Sequence, residues 1–144
     1  MIVLDTNVIS ALMQREADPA VVRWLDLQPS ESIWTTAVTV FEIRFGLELL
    51  ASGRHRQELE DAFSRALEED FQERVLPFDR EAADQAASRA AERRAAGKPL
   101  DFRDIEIAGI VSARRATLAT RNARHFEDLR IELIDPWAAR SRTR

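Results

Sequence analysis

Three carboxylates stand in apolar company along this chain. Asp5 closes "MIVLD", Glu42 lies in "AVTVFEIRFGLELL" between Phe41 and Ile43, and Asp104 opens "DIEIAGIV". A carboxylate in such surroundings loses solvation and takes up a proton unless something compensates it. Each acid has a plain structural reading. Asp5 caps the helix that follows, Glu42 pairs with Arg44 or points outward, and Asp104 satisfies free N–H groups at a helix start. Considered together they suggest a cation, because converging carboxylates repel one another unless an ion neutralises them. Oxygen-only ligands favour Mg²⁺ or Mn²⁺ over zinc. Such an ion activates water and stabilises charge on a phosphoryl group, which suits hydrolysis of a phosphodiester.

A fourth corner lies in "LATRNARHF". Thr120 and Asn122 follow a short apolar pair, Asn122 offers a neutral oxygen, and Arg121 is placed to approach phosphate. Asn122 equally suits a turn. Asn7 and Thr36 either cap helices or hold a ligating carboxylate in position. Other polar residues carry less. Asp101 reads as a helix N-cap, Glu106 points elsewhere on the helix from Asp104, and His125 reads as an exposed loop histidine. Trp24, Trp34 and Trp137 read as core or interface residues.

These side chains need elements to position them. Ile2 to Leu4 is apolar without alternation, as in a strand covered on both faces. Asp5 then falls at its carboxyl end, where open α/β sheets collect ligands. The pattern predicts helices over Val8–Met13, Pro19–Leu27, Val38–Ala51 and Arg56–Phe71, with a strand at Ile33-Trp34. Thr35 or Thr36 caps the third of these helices, and "SGRH" separates it from the fourth. A brief strand in "RVLPFDR" precedes an Ala-rich helix that begins at Asp79 or Arg80 and ends before Gly97. "GKPLDFRD" leads into a helix carrying Ile105 to Val111, followed by Leu118-Ala119 and a last strand at Ile131–Ile134. Alternating strands and helices predict a short, mostly parallel sheet with helices on both faces.

The 144 residues fit one domain with a sizeable core. Without cysteine there is neither a disulfide nor a thiolate site, and two histidines exclude a three-histidine metal centre. Nothing approaches a membrane span or a leader peptide, so a reducing, cytoplasmic setting is the expectation. The net charge of −4 hides an asymmetry. Residues 1–102 carry 12 Lys and Arg against 19 acids, whereas residues 103–144 carry nine Arg against six acids, permitting a basic rim beside an acidic centre.

The blocks "IVLDTNVISAL", "TTAVTVFEIRFGL", "DFRDIEIAGIVSA" and "LATRNARHFEDL" stand in the order found in PIN-domain ribonucleases. The chain resembles the VapC and FitB type of toxin from type II toxin–antitoxin pairs, from Ile2 to about Pro136. The resemblance implies a three-layer α/β/α domain over residues 1–137, followed by an Arg-rich tail over 138–144. It implies that Asp5, Glu42 and Asp104 hold Mg²⁺ or Mn²⁺, with Asn122 at a fourth catalytic position that is often aspartate. Thr6, Asn7, Thr36, Thr120 and Arg121 resemble polar residues that organise the pocket. Glu106 departs from the small or apolar residue common nearby. The resemblance further implies metal-dependent endonucleolytic cleavage of RNA, a homodimer, a cognate antitoxin entering the groove, and promoter DNA bound through that antitoxin.

Two rivals differ in kind. A haloacid-dehalogenase-like phosphatase needs a second aspartate two residues after the first, where this chain has Asn7. A PIN-like scaffold that binds RNA or a partner without catalysis has no need of the three acids.

Overall fold

The structure is a computed structural model that describes residues 1–138. The Arg-rich tail expected over 138–144 lies, apart from Ala138, outside the described residues. Five short strands form the centre: β1 (Ile2–Leu4), β2 (Ile33–Thr36), β3 (Val75–Leu76), β4 (Thr117–Ala119) and β5 (Glu132–Ile134). Their order is β3-β2-β1-β4-β5, and every pairing is parallel. β1 is therefore central, with Val3 opposite both Trp34 and Leu118.

Centrality explains the apolar run at the amino end. Successive strand residues face opposite sides of the sheet. Val3 packs into one core with Ile107, Ile110, Val111 and Phe126. Leu4 packs into the other with Val8, Trp24, Ile43 and Phe63. Both are essentially inaccessible, and burying each contributes roughly 1.5–3 kcal/mol.

The second core lies under α1 (Thr6–Leu12), α2 (Pro19–Asp26), α3 (Ala37–Glu48) and α4 (Arg54–Arg65). The first lies under α5 (Arg80–Ala95) and α6 (Phe102–Ala113). The result is a three-layer α/β/α arrangement. α6 approaches α5 closely because Gly109 has no side chain there. A Cβ at that position would meet the Ala82 carbonyl oxygen at 2.5 Å and Ala86 Cβ at 2.8 Å.

Some boundaries differ from the sequence pattern. The helix expected to run unbroken to Phe71 is α-helical only to Arg65, then continues as one π-type turn over Ala66–Asp70. The Phe71 N–H reaches back five residues to the Ala66 carbonyl at 2.9 Å. The added residue shifts the helical phase by about 100°, and Phe71 is buried. α3 stops at Glu48, short of Ala51, and the last strand starts at Glu132. No helix among the described residues is long and apolar enough to cross a membrane.

Candidate active site

Because all strands are parallel, the carboxyl ends of β1, β2 and β4 open on one edge. Asp5 follows β1 and caps α1, its Oδ1 accepting the Thr6 N–H at 2.8 Å. The structural reading of this aspartate thus holds, yet it engages only one oxygen. Oδ2 accepts from Thr120 Oγ1 at 2.8 Å and from Asn7 Nδ2 at 3.4 Å. Asn7 Nδ2 also approaches Thr120 Oγ1 at 3.2 Å, while its Oδ1 accepts the Arg121 N–H at 3.1 Å. The Asn122 N–H donates to Thr120 Oγ1 at 3.1 Å. Asn7, Thr120, Arg121 and Asn122 thereby tie the end of β4 to the end of β1.

Thr36 caps α3, accepting the Thr39 N–H at 3.0 Å. A row of hydroxyls runs on from it. Thr36 Oγ1 lies 3.2 Å from Thr39 Oγ1, which lies 3.4 Å from Thr6 Oγ1. Thr6 Oγ1 donates to Glu42 Oε1 at 3.2 Å. Glu42 is not paired with Arg44. Arg44 instead donates to Ser64 Oγ at 3.2 Å and stacks 4.9 Å from the Phe63 ring centroid, on the α4 side. The cation beside Glu42 is Arg103, its Nη1 3.7 Å from Oε2.

α6 supplies the third acid. Asp101 caps it, as the sequence suggested, accepting the N–H groups of Arg103 at 3.1 Å and Asp104 at 3.3 Å. This leaves the Asp104 carboxylate free of capping work. His125 Nδ1 stands 3.8 Å from Asp104 Oδ2. The imidazole is exposed, as expected of a loop histidine, but it borders the site. Its loop is fastened from behind by Arg93, which donates to the His125 carbonyl at 2.8 Å and grips Asp128 at 2.9 Å.

The three acids share one electrostatic environment. Burial pushes all of their proton affinities up. Asp104 rises furthest, to about 6, through burial first and then the charges of Asp101 and Asp5, with His125 opposing. In Asp5 the hydrogen bonds from Thr120 and Thr6 oppose the effect of burial. In Glu42 the main opposing influence is Arg103. Desolvated carboxylates at one strand-end edge form a hard-oxygen donor set chemically suited to Mg²⁺ or Mn²⁺. Among the described residues, however, no three such side chains are drawn to a single point as a ready ligand cluster.

Comparison with known proteins decides the family. The PIN domain family matches residues 2–132. The chain belongs to the PIN-domain family. It is 38% identical over 137 residues to the VapC ribonuclease Y4jK of Sinorhizobium fredii, covering 95% of this chain and 98% of that one. It is 33% identical to the toxin FitB of Neisseria gonorrhoeae, covering 95% and 99%. A solved structure of FitAB bound to an IR36 DNA fragment superposes with a TM-score of 0.88 at 31% identity, covering 99% of this chain and all of that one.

Of the polar residues that the sequence names around the three acids, Thr6, Asn7 and Thr120 bond directly to Asp5 or Glu42. Arg103 is marked in the sequence only by its adjacency to Asp104 in "DFRD", at the first turn of a helix. Trp137 was assigned to packing. It does lie half-buried against the second core, and the Arg121 guanidinium also stacks 4.9 Å from its ring centroid. Arg121 is therefore held beside the site edge on an aromatic face.

Proposed function

We propose that this PIN-domain protein is the toxin of a type II toxin–antitoxin pair and a metal-dependent endoribonuclease. The observation that supports the catalytic reading is the placement of Asp5, Glu42 and Asp104, from three separate elements, around one strand-end cleft, with Thr6 bonded to Asp5 through its N–H and to Glu42 through its hydroxyl. A scaffold without catalysis gains nothing from crowding desolvated acids. Asp5, Glu42 and Asp104 would hold Mg²⁺ or Mn²⁺, which when bound supplies Lewis-acid polarisation of the phosphodiester and lowers the pKa of water. Thr120, Asn7 and the Thr6 N–H fix Asp5; Thr6 Oγ1 orients Glu42. Asn122 presents its carboxamide at the end of β4, and Arg121 lies at the rim where an RNA backbone passes.

The partners follow from the same reading. FitB is a toxin, and FitAB has been seen on DNA. By analogy a cognate antitoxin binds this chain, and promoter DNA is engaged through that antitoxin. The antitoxin segment would enter the groove bordered by Asp5, Glu42 and Asp104, where a basic side chain of its own would meet the acids. A second copy of this chain is the occupant proposed for the exposed stripe of Phe41 and Phe45 on α3 and Leu49 just beyond its end. Light scattering at twice the chain mass checks that homodimer.

Purified protein should cleave RNA when Mn²⁺ or Mg²⁺ is present, and stop when the ion is chelated. Co-expression with the cognate antitoxin should relieve any growth arrest that this chain causes when expressed alone and remove the RNA ends it produces. Cleavage that survives chelation would overturn the metal-dependent reading. Turnover of a small phosphate ester in place of RNA would favour the phosphatase alternative.

A further inference from the structure

Arg103 stands where negative charge is most crowded. Asp101 caps α6 and Asp104 stands in its first turn, and Glu42 reaches Thr6 beside Asp5, so four acids border one strand-end cleft. Among the described residues, the Arg103 guanidinium is the one that lies within 4 Å of any of them, 3.7 Å from Glu42. Its backbone is fixed, since its N–H donates to Asp101 Oδ1 in the first turn of α6. Its side chain is half exposed. That combination differs from Arg89, whose guanidinium is buried and bonded to the Leu129 carbonyl at 2.7 Å and to Ser112 Oγ at 2.7 Å. Arg89 is a clamp. Arg103 has a rooted base and a free end.

A contact of 3.7 Å lies beyond hydrogen-bond range, and half-exposed ion pairs of this kind are weak. Little therefore holds the guanidinium to Glu42. A divalent ion arriving at Glu42 carries twice the charge and repels it. The planar fork that leaves is well matched to a phosphate, which it can engage through two parallel hydrogen bonds. We propose that Arg103 is the site's own counter-ion, neutralising Glu42 until a divalent ion displaces it and then turning to a phosphate of the bound RNA. The second half rests on the ribonuclease reading; the first does not.

Two variants separate the halves, Arg103→Gln and the charge-keeping Arg103→Lys. Calorimetric titration with Mn²⁺ alone, in the absence of RNA, reads the counter-ion role. Removing one positive charge beside a divalent ion should tighten Mn²⁺ binding by about three- to tenfold in Arg103→Gln, while Arg103→Lys stays close to the parent. Steady-state cleavage of a single-stranded RNA at saturating Mn²⁺ reads the phosphate role. There, Arg103→Gln should raise KM by about three- to tenfold, more than it lowers kcat. The slope of log affinity against log salt should shrink by about 0.7, the loss of one phosphate contact. Arg103→Lys should recover most of both. Mn²⁺ affinity that is unchanged or weaker in Arg103→Gln overturns the counter-ion role and makes Arg103 a tether for Glu42. An unchanged KM and salt slope overturn the phosphate role. If the parent cleaves no RNA, the ribonuclease reading and the phosphate half fall together, and the Mn²⁺ titration still decides the first half.

Discussion

The two walls of the acidic cleft are held by different forces. On the β1 side, Asp5 is buried and receives hydrogen bonds from neutral donors, Thr6 N–H and Thr120 Oγ1 at 2.8 Å each and Asn7 Nδ2 at 3.4 Å. On the other wall, Asp104 of α6 and Glu42 of α3 are only partly buried; Asp104 faces the His125 imidazole at 3.8 Å, and Glu42 faces the Arg103 guanidinium at 3.7 Å and accepts one hydrogen bond, from Thr6 Oγ1 at 3.2 Å. Short neutral bonds fix a position; loose charge pairs permit movement. The comparison teaches that one acid is set by several bonds of the fold, Glu42 is held by a single hydroxyl, and Asp104 has the most freedom to adjust to whatever enters. A ligand set that closes around an ion needs both properties.

Replacing the acid on each wall gives the largest expected effect. Asp5→Asn and Asp104→Asn should each reduce metal-dependent cleavage by about 100-fold or more, since partners merely supporting a ligand typically cost ~10–100-fold. Their stabilities should diverge. Asp5→Asn weakens a short buried hydrogen-bond set and should melt lower than the parent. Asp104→Asn removes a charge that burial and neighbouring acids disfavour, and should melt at least as high at pH 7. The pH dependence has the matching sign. Asp104 rises from an ordinary value near 3.8 to about 6 in the folded chain. The native state therefore holds more protons than the unfolded one between those values, and this contribution makes stability fall as pH rises from about 4 to 6. After allowing for solvent screening it amounts to about 1 kcal/mol, and Asp104→Asn should remove it. Thermal melts across that range check the sign. Equal losses of stability in both variants would erase the distinction between the walls.

How much of this was legible in the sequence depended on where each residue's partner lies. Asp5, Asp101 and Asp104 were readable because local geometry defines them: an apolar run ends, a helix begins, and the capping partner is one to three residues away. The layer architecture was readable from alternating strands and helices. The strand order was not, because pairing joins Ile2 to Thr117 across the chain. Pairing with Arg44 is one structural reading of Glu42 that the sequence offers, because those two share a helix. Its actual cation comes from α6, since Arg44 finds a better environment on Phe63 of α4. The π-type turn before Phe71 was hidden for a similar reason. A single inserted residue is invisible to helical spacing until the core that receives Phe71 is known.

The firm wall can be loosened without touching an acid. Thr120→Val removes the donor to Asp5 Oδ2 and the acceptor used by both Asn7 Nδ2 and the Asn122 N–H, at nearly constant volume. Leaving these groups short of partners should cost about 1–3 kcal/mol in denaturant unfolding. Cleavage should fall by roughly 10–100-fold through misplacement of Asp5. Thr120→Ser, which keeps the hydroxyl, should restore most of both. A Val variant that loses stability but cleaves like the parent would show that Asp5 does not need Thr120 to hold its working position.

Asn122 offers the finest test, because it stands at the seam of the two walls. Its N–H belongs to the firm network through Thr120, while the residue itself is exposed at the start of the turn Ala123–His125 that carries the loose histidine. Its side chain is neutral at the fourth position, which the resemblance gives as often aspartate. Asn122→Asp adds one negative charge at almost constant volume. At an exposed position water and salt screen most of that charge, since a unit pair 4 Å apart in water is worth only about 1 kcal/mol. The expected gain in Mn²⁺ affinity is therefore small, about two- to fivefold, and stability should stay within about 0.5 kcal/mol of the parent. Asn122→Ala should lower turnover with equally little effect on the melt, because the backbone N–H that serves Thr120 remains. Matched calorimetric titrations of the three proteins decide the matter. No gain for the aspartate variant would place the Asn122 side chain outside the reach of the ion, leaving it on the firm wall as a turn residue.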